Sequence, residues 1–324
     1  MISQELVKKI ETVKEYQNKK VVGQSHLTDA LFIALLCEGH LLIEGLPGLA
    51  KTRAVKQFAT CVSGRLNRIQ FTPDMLPSDV TGNDIYNPTS LSFRFVKGPI
   101  FGNVVLADEI NRAPAKVQSA LLEAMQEQQI TVNGNTYPLP SPFLVLATQN
   151  PQEQEGTFAL PEAQKDRFLM NVVLSYPNEQ EELEVLRMVR TEDRKTIAVS
   201  VPSCSPDEIR QIQQEVRQVY VSDMAERYMV RLIQATRPET EIGKSSSWKE
   251  LIVYGAGPRA TLALDNCSRA VAWMSGRDYV TGDDIKRVAK DVLRHRIRLS
   301  LKAWHEGWDV DKVLDELLLQ VKLG

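Results

Sequence analysis

Apolar residues fall into two regimes along this chain. Up to about residue 176 they gather in short, near-continuous runs. HLLIEG (40–45), NVVLAD (103–108), FLVLAT (143–148) and FLMNVVL (168–174) have this form. LNRIQF (66–71) is a weaker case, because polar residues interrupt it. Unbroken rather than alternating apolarity marks strands buried on both faces. Between the runs lie stretches with helical spacing, such as 113–128. Strands alternating with helices predict a parallel sheet with helices on both faces.

Beyond residue 176 the strand pattern mostly stops. NEQEELEVLRMV, PDEIRQIQQEVRQVY, RATLALDNCSRAVAWM and DDIKRVAKDVLRHRI carry apolar residues at helical spacing. Ser205 ahead of Pro206, Asp207 and Glu208, and Thr281 ahead of Asp283 and Asp284, supply N-cap chemistry. The expected organisation is an α/β domain over 1–190 followed by an all-helical domain over 191–324, the pattern changing between 176 and 200. Two hairpins are expected in the first domain. One covers 85–96 with its turn at 87–90, and the other covers 130–139 around Asn133-Gly134, a pair suited to a tight turn. GKSSSWK (243–249) reads as an exposed loop.

Composition narrows the function classes. At 324 residues the chain exceeds one compact domain, and 43% hydrophobic residues suffice for a sizeable core. A formal net charge of −2 gives no global attraction to nucleic acid or anionic lipid, although a local basic groove stays open. No run approaches the roughly 18 apolar residues of a membrane span, and the opening MISQELVKKIETVKEYQNKK is too charged for a secretory signal. The four cysteines form no CxxC pair and read as reduced, mostly buried thiols of a cytoplasmic protein. The four histidines form no ligand-spaced cluster, so no zinc site is indicated. Trp248, Trp273, Trp304 and Trp308 read as packing or surface aromatics. Arg294, Arg296 and Arg298 read as solvated or subunit-facing, since alternate positions on a helix wrap several faces.

The first chemical signal is GLPGLAKT: Gly45, Leu46, Pro47, Gly48, Leu49, Ala50, Lys51 and Thr52, between a strand and a helical stretch. A phosphate-binding loop needs that context, because its backbone N–H groups and the helix N-terminus both point at an anion. Lys51 can then reach β- and γ-phosphates, and Thr52 can ligate Mg²⁺. Ala50 stands where the usual pattern has a second glycine, and alanine resists φ > 0. A chance glycine-proline turn is the competing reading. The second signal is VVLADE (104–109), an apolar strand ending in two acids. Asp108 can hold the Mg²⁺ shell and Glu109 can polarise an attacking water, against the alternative of a solvated acidic pair. The third is ATQNP (147–151), where Asn150 either faces the same crevice or merely turns the chain before Pro151.

Together GLPGLAKT, VVLADEINRAP, ATQNP, LPEAQKDRF and GAGPRA resemble the MoxR group of AAA+ ATPases. The resemblance runs from VVGQ at 21–24 to the C-terminal helices, and it accommodates Ala50, which matches the group's usage. It implies a P-loop AAA+ core with a parallel sheet flanked by helices, an all-helical lid, and ATP hydrolysis with Mg²⁺. It assigns Val22 and Gly23 to adenine contact, Arg167 to the arginine finger that completes a neighbouring subunit's site, and Arg259 to sensor 2. The competing readings are an ordinary turn, an ion pair of Arg167 with Asp166 or a nearby acid, and a solvated first-turn residue. The resemblance further implies a ring of copies, taken as a hexamer, acting on a protein client such as a von Willebrand factor A-domain protein, without nucleic acid and without membrane insertion. Its hairpins would face the pore or substrate, or be plain surface hairpins. Two other classes of function stay open: a metal-chelatase motor subunit or an MCM-like DNA motor, and a nucleotide-regulated scaffold with little turnover.

Overall fold

The computed structural model describes residues 2–45, 51–89, 91–150, 156–192 and 201–323. Its strands are β1 (Leu41–Glu44), β2 (Leu66–Gln70), β3 (Gly82–Asn87), β4 (Ser92–Lys97), β5 (Val104–Asp108), β6 (Gln129–Val132), β7 (Asn135–Pro138), β8 (Leu144–Gln149), β9 (Met170–Val173), β10 (Ile252–Tyr254) and β11 (Arg298–Leu299). The helices are α1 (Gln4–Lys20), α2 (Ser25–Leu36), α3 (Lys51–Cys61), α4 (Pro77–Thr81), α5 (Ala115–Glu127), α6 (Glu162–Lys165), α7 (Glu179–Glu192), α8 (Pro206–Arg217), α9 (Asp223–Ala235), α10 (Glu241–Ser245), α11 (Pro258–Met274), α12 (Gly282–Leu293), α13 (Leu301–His305) and α14 (Val310–Gln320).

The chain forms two compact units. One comprises Lys8–Leu160 with Val172–Arg210, the other Met1–Val7, Pro161–Asn171 and Gln211–Gly324. All five predicted sheet strands form, in the order β2-β5-β8-β1-β9, and the pairs β2·β5, β5·β8 and β1·β8 are parallel. β5 is buried along its whole length and β8 up to its last residue, which is why their sequences run apolar without alternation. β2 lies at the sheet's edge, where polar side chains can reach water, so its interrupted pattern is compatible with a strand.

Both expected hairpins are present. β3 pairs antiparallel with β4, and β6 with β7. At the second turn Asn133 (φ 48°) and Gly134 (φ 81°) are both left-handed, the conformation a two-residue turn requires. The hairpins touch: the Phe95 and Tyr137 rings stack at 4.0 Å, and Asn133 Nδ2 donates to Asp84 Oδ2 at 2.7 Å. Ile85, Tyr86, Leu91 and Phe93 are exposed on the first of them.

The second unit is built on helices, as expected, but adds a short antiparallel ribbon of β10 and β11. Thr281 caps α12 with a full capping box to Asp284. Two expectations need correction here. GKSSSWK is not simply an exposed loop. Its first residues end α10, a Cβ at Gly243 would collide with the Arg237 carbonyl, and Trp248 is buried, donating Nε1–H to Ala235 O at 2.8 Å. Arg294 and Arg296 are not solvated, because α12 stops at Leu293 and a 3₁₀ turn at Arg294–Arg296 carries both inward, leaving Arg298 exposed. Trp273 is buried and Trp304 exposed, within the packing-or-surface reading. Cys37, Cys61, Cys204 and Cys267 are free thiols, and all but Cys37 are buried.

His40 makes the first unit acid-sensitive. Its buried ring accepts from Val145 N–H at 3.0 Å through Nδ1 and donates through Nε2 to Met125 O at 3.1 Å, so it is held neutral, and burial lowers its pKa to about 4. Between pH 6.5 and 4 the unfolded chain binds a proton that the folded chain refuses. Stability therefore falls as pH drops through this window, by about 3 kcal/mol from His40. His40→Gln keeps one donor and one acceptor without a titrating ring. Urea unfolding should show a flatter pH slope in His40→Gln, and identical slopes would contradict the assignment.

Candidate functional site

Sheet register brings the chemistry to one edge. Gln70 lies level with Asp108, Ala107 with Ala147, Ile43 with Thr148, and Glu44 with Gln149. The C-terminal ends of β2, β5, β8 and β1 therefore coincide, and ligands of open α/β sheets bind outside those ends.

Asp108 closes β5 and is 9% exposed. Thr148 Oγ1 donates to its Oδ1 at 2.6 Å and accepts from Glu109 N–H at 3.0 Å, which pins both acids to β8. Arg68 donates to Asp108 Oδ2 through Nε (3.1 Å) and Nη2 (2.6 Å). Glu109 has φ 58° and ψ 50°, a left-handed conformation that is uncommon outside glycine. Such strain persists only where surroundings impose it, and it concentrates at functional sites. The conformation points the carboxylate toward Gln70 Nε2, which donates to it at 2.7 Å, and Arg112 Nε, at 3.1 Å. Arg68 Nη2 also donates to Gln70 Oε1 at 2.7 Å, so β2 contributes two linked side chains that hold the two acids. Asn150, at the end of β8, is 8% exposed.

Lys51 opens α3, half-buried, and its Nζ donates to Gly45 O at 2.7 Å, folding the ammonium back toward the end of β1. Thr52 is half-buried beside it. Leu46, Pro47, Gly48, Leu49 and Ala50 lie outside the described residues. Val22 and Gly23 form the turn between α1 and α2, with Gly23 at φ 75°. They line a cavity of about 550 Å³ together with Glu15, Asn18, Lys19, Glu181 and Glu184.

The donor set fits a phosphate ester with a hard divalent cation. A helix N-terminus with a lysine suits the anion. Asp108 supplies carboxylate oxygens, the ligand type Mg²⁺ prefers, and one of them already carries a cationic partner, the Arg68 guanidinium.

Arg167 and Arg259 belong to the other unit. Arg167 is exposed just beyond α6. Arg259 is the second residue of α11 and pairs with Asp166 at 3.4 Å, while Arg296 holds the same carboxylate at 2.8 Å. Arg68, Gln70 and Thr148 were not singled out from the sequence. The one available signal was the pair of long polar residues two apart in β2, which places both on one face of the strand.

The chain matches the profile of the ATPase family associated with various cellular activities (AAA) over residues 40–170, and that of the AAA lid domain over 246–317. It is 43% identical over 304 residues to Chaperone MoxR1 of Mycobacterium tuberculosis, across 94% of this chain and 79% of that protein. Protein MoxR of Methylorubrum extorquens is 30% identical over 293 residues, across 87% and 85%. A crystal structure of a chain from Cytophaga hutchinsonii is 45% identical and superposes with a TM-score of 0.89, across 98% of this chain and 96% of that one.

Proposed function

Because this chain belongs to the MoxR family of AAA+ ATPases, we infer that it binds ATP at the C-terminal edge of its sheet and hydrolyses it at sites shared between copies. The observation that carries the reading is the acid pair. Asp108 is nearly buried and fixed by Thr148, whereas Glu109 is held in a strained conformation with its carboxylate turned to the site edge. Adjacent residues thus have separate tasks, one to hold a cation and one to act on water. Lys51 and the helix it opens take the β- and γ-phosphates, with Thr52 and Asp108 as the Mg²⁺ ligands. Mg²⁺ supplies neutralisation of phosphate charge when bound. Asn150 orients the water or the γ-phosphate, and Val22 and Gly23 face the adenine beside their cavity. Arg259 serves as sensor 2, and Arg167 completes the site of a second copy.

In this reading a core over 1–190 and a lid over 191–324 assemble into a hexameric ring in the cytoplasm that remodels a protein client. Such a client is a von Willebrand factor A-domain protein, and the exposed apolar side chains of the β3–β4 hairpin suit contact with it. Lys51→Ala should weaken binding of a fluorescent ATP analogue while the melting temperature holds. Equal affinity would contradict the phosphate assignment. Turnover measured with and without single-stranded DNA separates a client remodeller, which is indifferent to it, from a DNA motor, which is stimulated and strongly salt-dependent.

A further inference from the structure

Three consecutive side chains of the second unit grip the backbone that carries Arg167. Arg296 donates Nη2–H to Phe168 O (2.7 Å) and Asp166 O (3.3 Å), and Nη1–H to Leu169 O (3.1 Å). His295 Nε2 meets Phe168 O at 3.2 Å, as the donor, since a carbonyl only accepts. Arg294 donates Nη1–H to Asn171 O at 2.7 Å. Four carbonyl oxygens between 166 and 171 are thus held, and Arg167 sits among them with its own side chain exposed.

The grip is anchored, and its central guanidinium is fully used. Arg296 is 3% exposed, and its remaining N–H groups go to Asp166 Oδ1 (2.8 Å) and to Val292 O. All five donors of its guanidinium therefore have acceptors, which a lysine with three donors cannot reproduce. Arg294 is tied to Asp291 (2.9 Å) and Asp311 (2.7 Å). Asp166, next to Arg167, also accepts from Arg259 Nη1 at 3.4 Å. One carboxylate therefore joins the clamp, the sensor 2 candidate and the finger segment. Burial and the neighbouring guanidinium groups push His295 well below the ordinary histidine range, so the clamp keeps one protonation state around neutral pH.

We propose that Arg294, His295 and Arg296 are positioning residues for Arg167: they fix the segment between Asp166 and Asn171 so that the Arg167 guanidinium is presented to the nucleotide of a neighbouring copy. The proposal rests on the reading above that Arg167 acts in trans. A long arginine side chain stabilises transition-state charge well only if its root is fixed, and a misplacement of about 1 Å can cost roughly 10²-fold in rate. Its consequence is unusual for a buried structural residue: the damage from loosening the clamp appears in the neighbour's site, not in its own.

Full-length Arg296→Lys, with Arg294→Lys as an independent second variant, tests this by subunit mixing. Each should bind a fluorescent ATP analogue as wild type does and hydrolyse ATP about tenfold to a hundredfold more slowly. Mixed with Glu109→Gln, each should regain turnover, because the lysine variant brings an intact Lys51–Asp108–Glu109 site and its partner brings a well-held Arg167. Mixed with Arg167→Ala, each should regain nothing. Wild-type rates in both lysine variants would overturn the proposal. So would a deficit that Glu109→Gln cannot complement while Arg167→Ala mixed with Glu109→Gln does recover. If that reference pair stays inactive in rings shown by native mass spectrometry to be mixed, action in trans itself fails, and the clamp's role falls with it.

Discussion

Arg167→Ala should bind ATP nearly as wild type and hydrolyse it roughly 10³–10⁵-fold more slowly, the range an arginine finger commands in phosphoryl transfer. Binding is spared because Lys51, Thr52 and Asp108 all lie in the other unit of the chain. The effect is large because a guanidinium keeps its charge at every working pH and matches phosphate oxygens with a planar fork. Arg167→Lys should recover little for the same reason. Stability should hardly change, since the side chain is exposed and the neighbouring carbonyls stay held by Arg294, His295 and Arg296. Single-turnover hydrolysis with an ATP-analogue titration checks this, and a rate within a few-fold of wild type would remove Arg167 from the reaction.

Glu109→Gln should retain ATP and lose hydrolysis by roughly 10²–10⁴, the usual contribution of a positioned base. Glutamine keeps the shape, and its carbonyl can still accept from Gln70 Nε2. Only the part-exposed pair with Arg112 is lost, worth about 0–1 kcal/mol. A stable protein that traps ATP is therefore expected, and a thermal melt distinguishes it from a misfolded one. Unchanged turnover would mean that another group activates the water.

The sheet was legible because its central strands are buried on both faces. NVVLAD and FLVLAT could hardly be anything else once flanked by helical patterns. Asp108, which ends the first, and Asn150, two residues beyond the second, then fell at the edge outside which ligands of open α/β sheets bind. The two hairpins were legible from turn chemistry, Asn133-Gly134 above all. LNRIQF shows where pattern and function pull apart. Arg68 and Gln70 weakened its strand reading, yet they are the side chains that hold Asp108 and Glu109. A residue placed to serve a site is a residue not placed to mark a strand. The clamp was illegible for another reason. Periodicity continued α12 through Arg296, whereas the chain tightens into a 3₁₀ turn at Arg294, and a switch of helix type leaves no mark in an apolar pattern. Only the carbonyls of 166–171, more than a hundred positions away, explain why two arginines sit there, since long-range backbone acceptors have no sequence signature.

The most direct measurement is specific ATPase activity of the wild-type protein against its concentration, with assembly followed by sedimentation over the same range. If Arg167 of one copy completes the site formed by Lys51, Asp108 and Glu109 of another, activity per subunit should be near zero where the protein is monomeric. It should then climb in step with assembly and level off when rings are complete. Activity per subunit that stays constant across the range in which monomers become rings would contradict hydrolysis at shared sites.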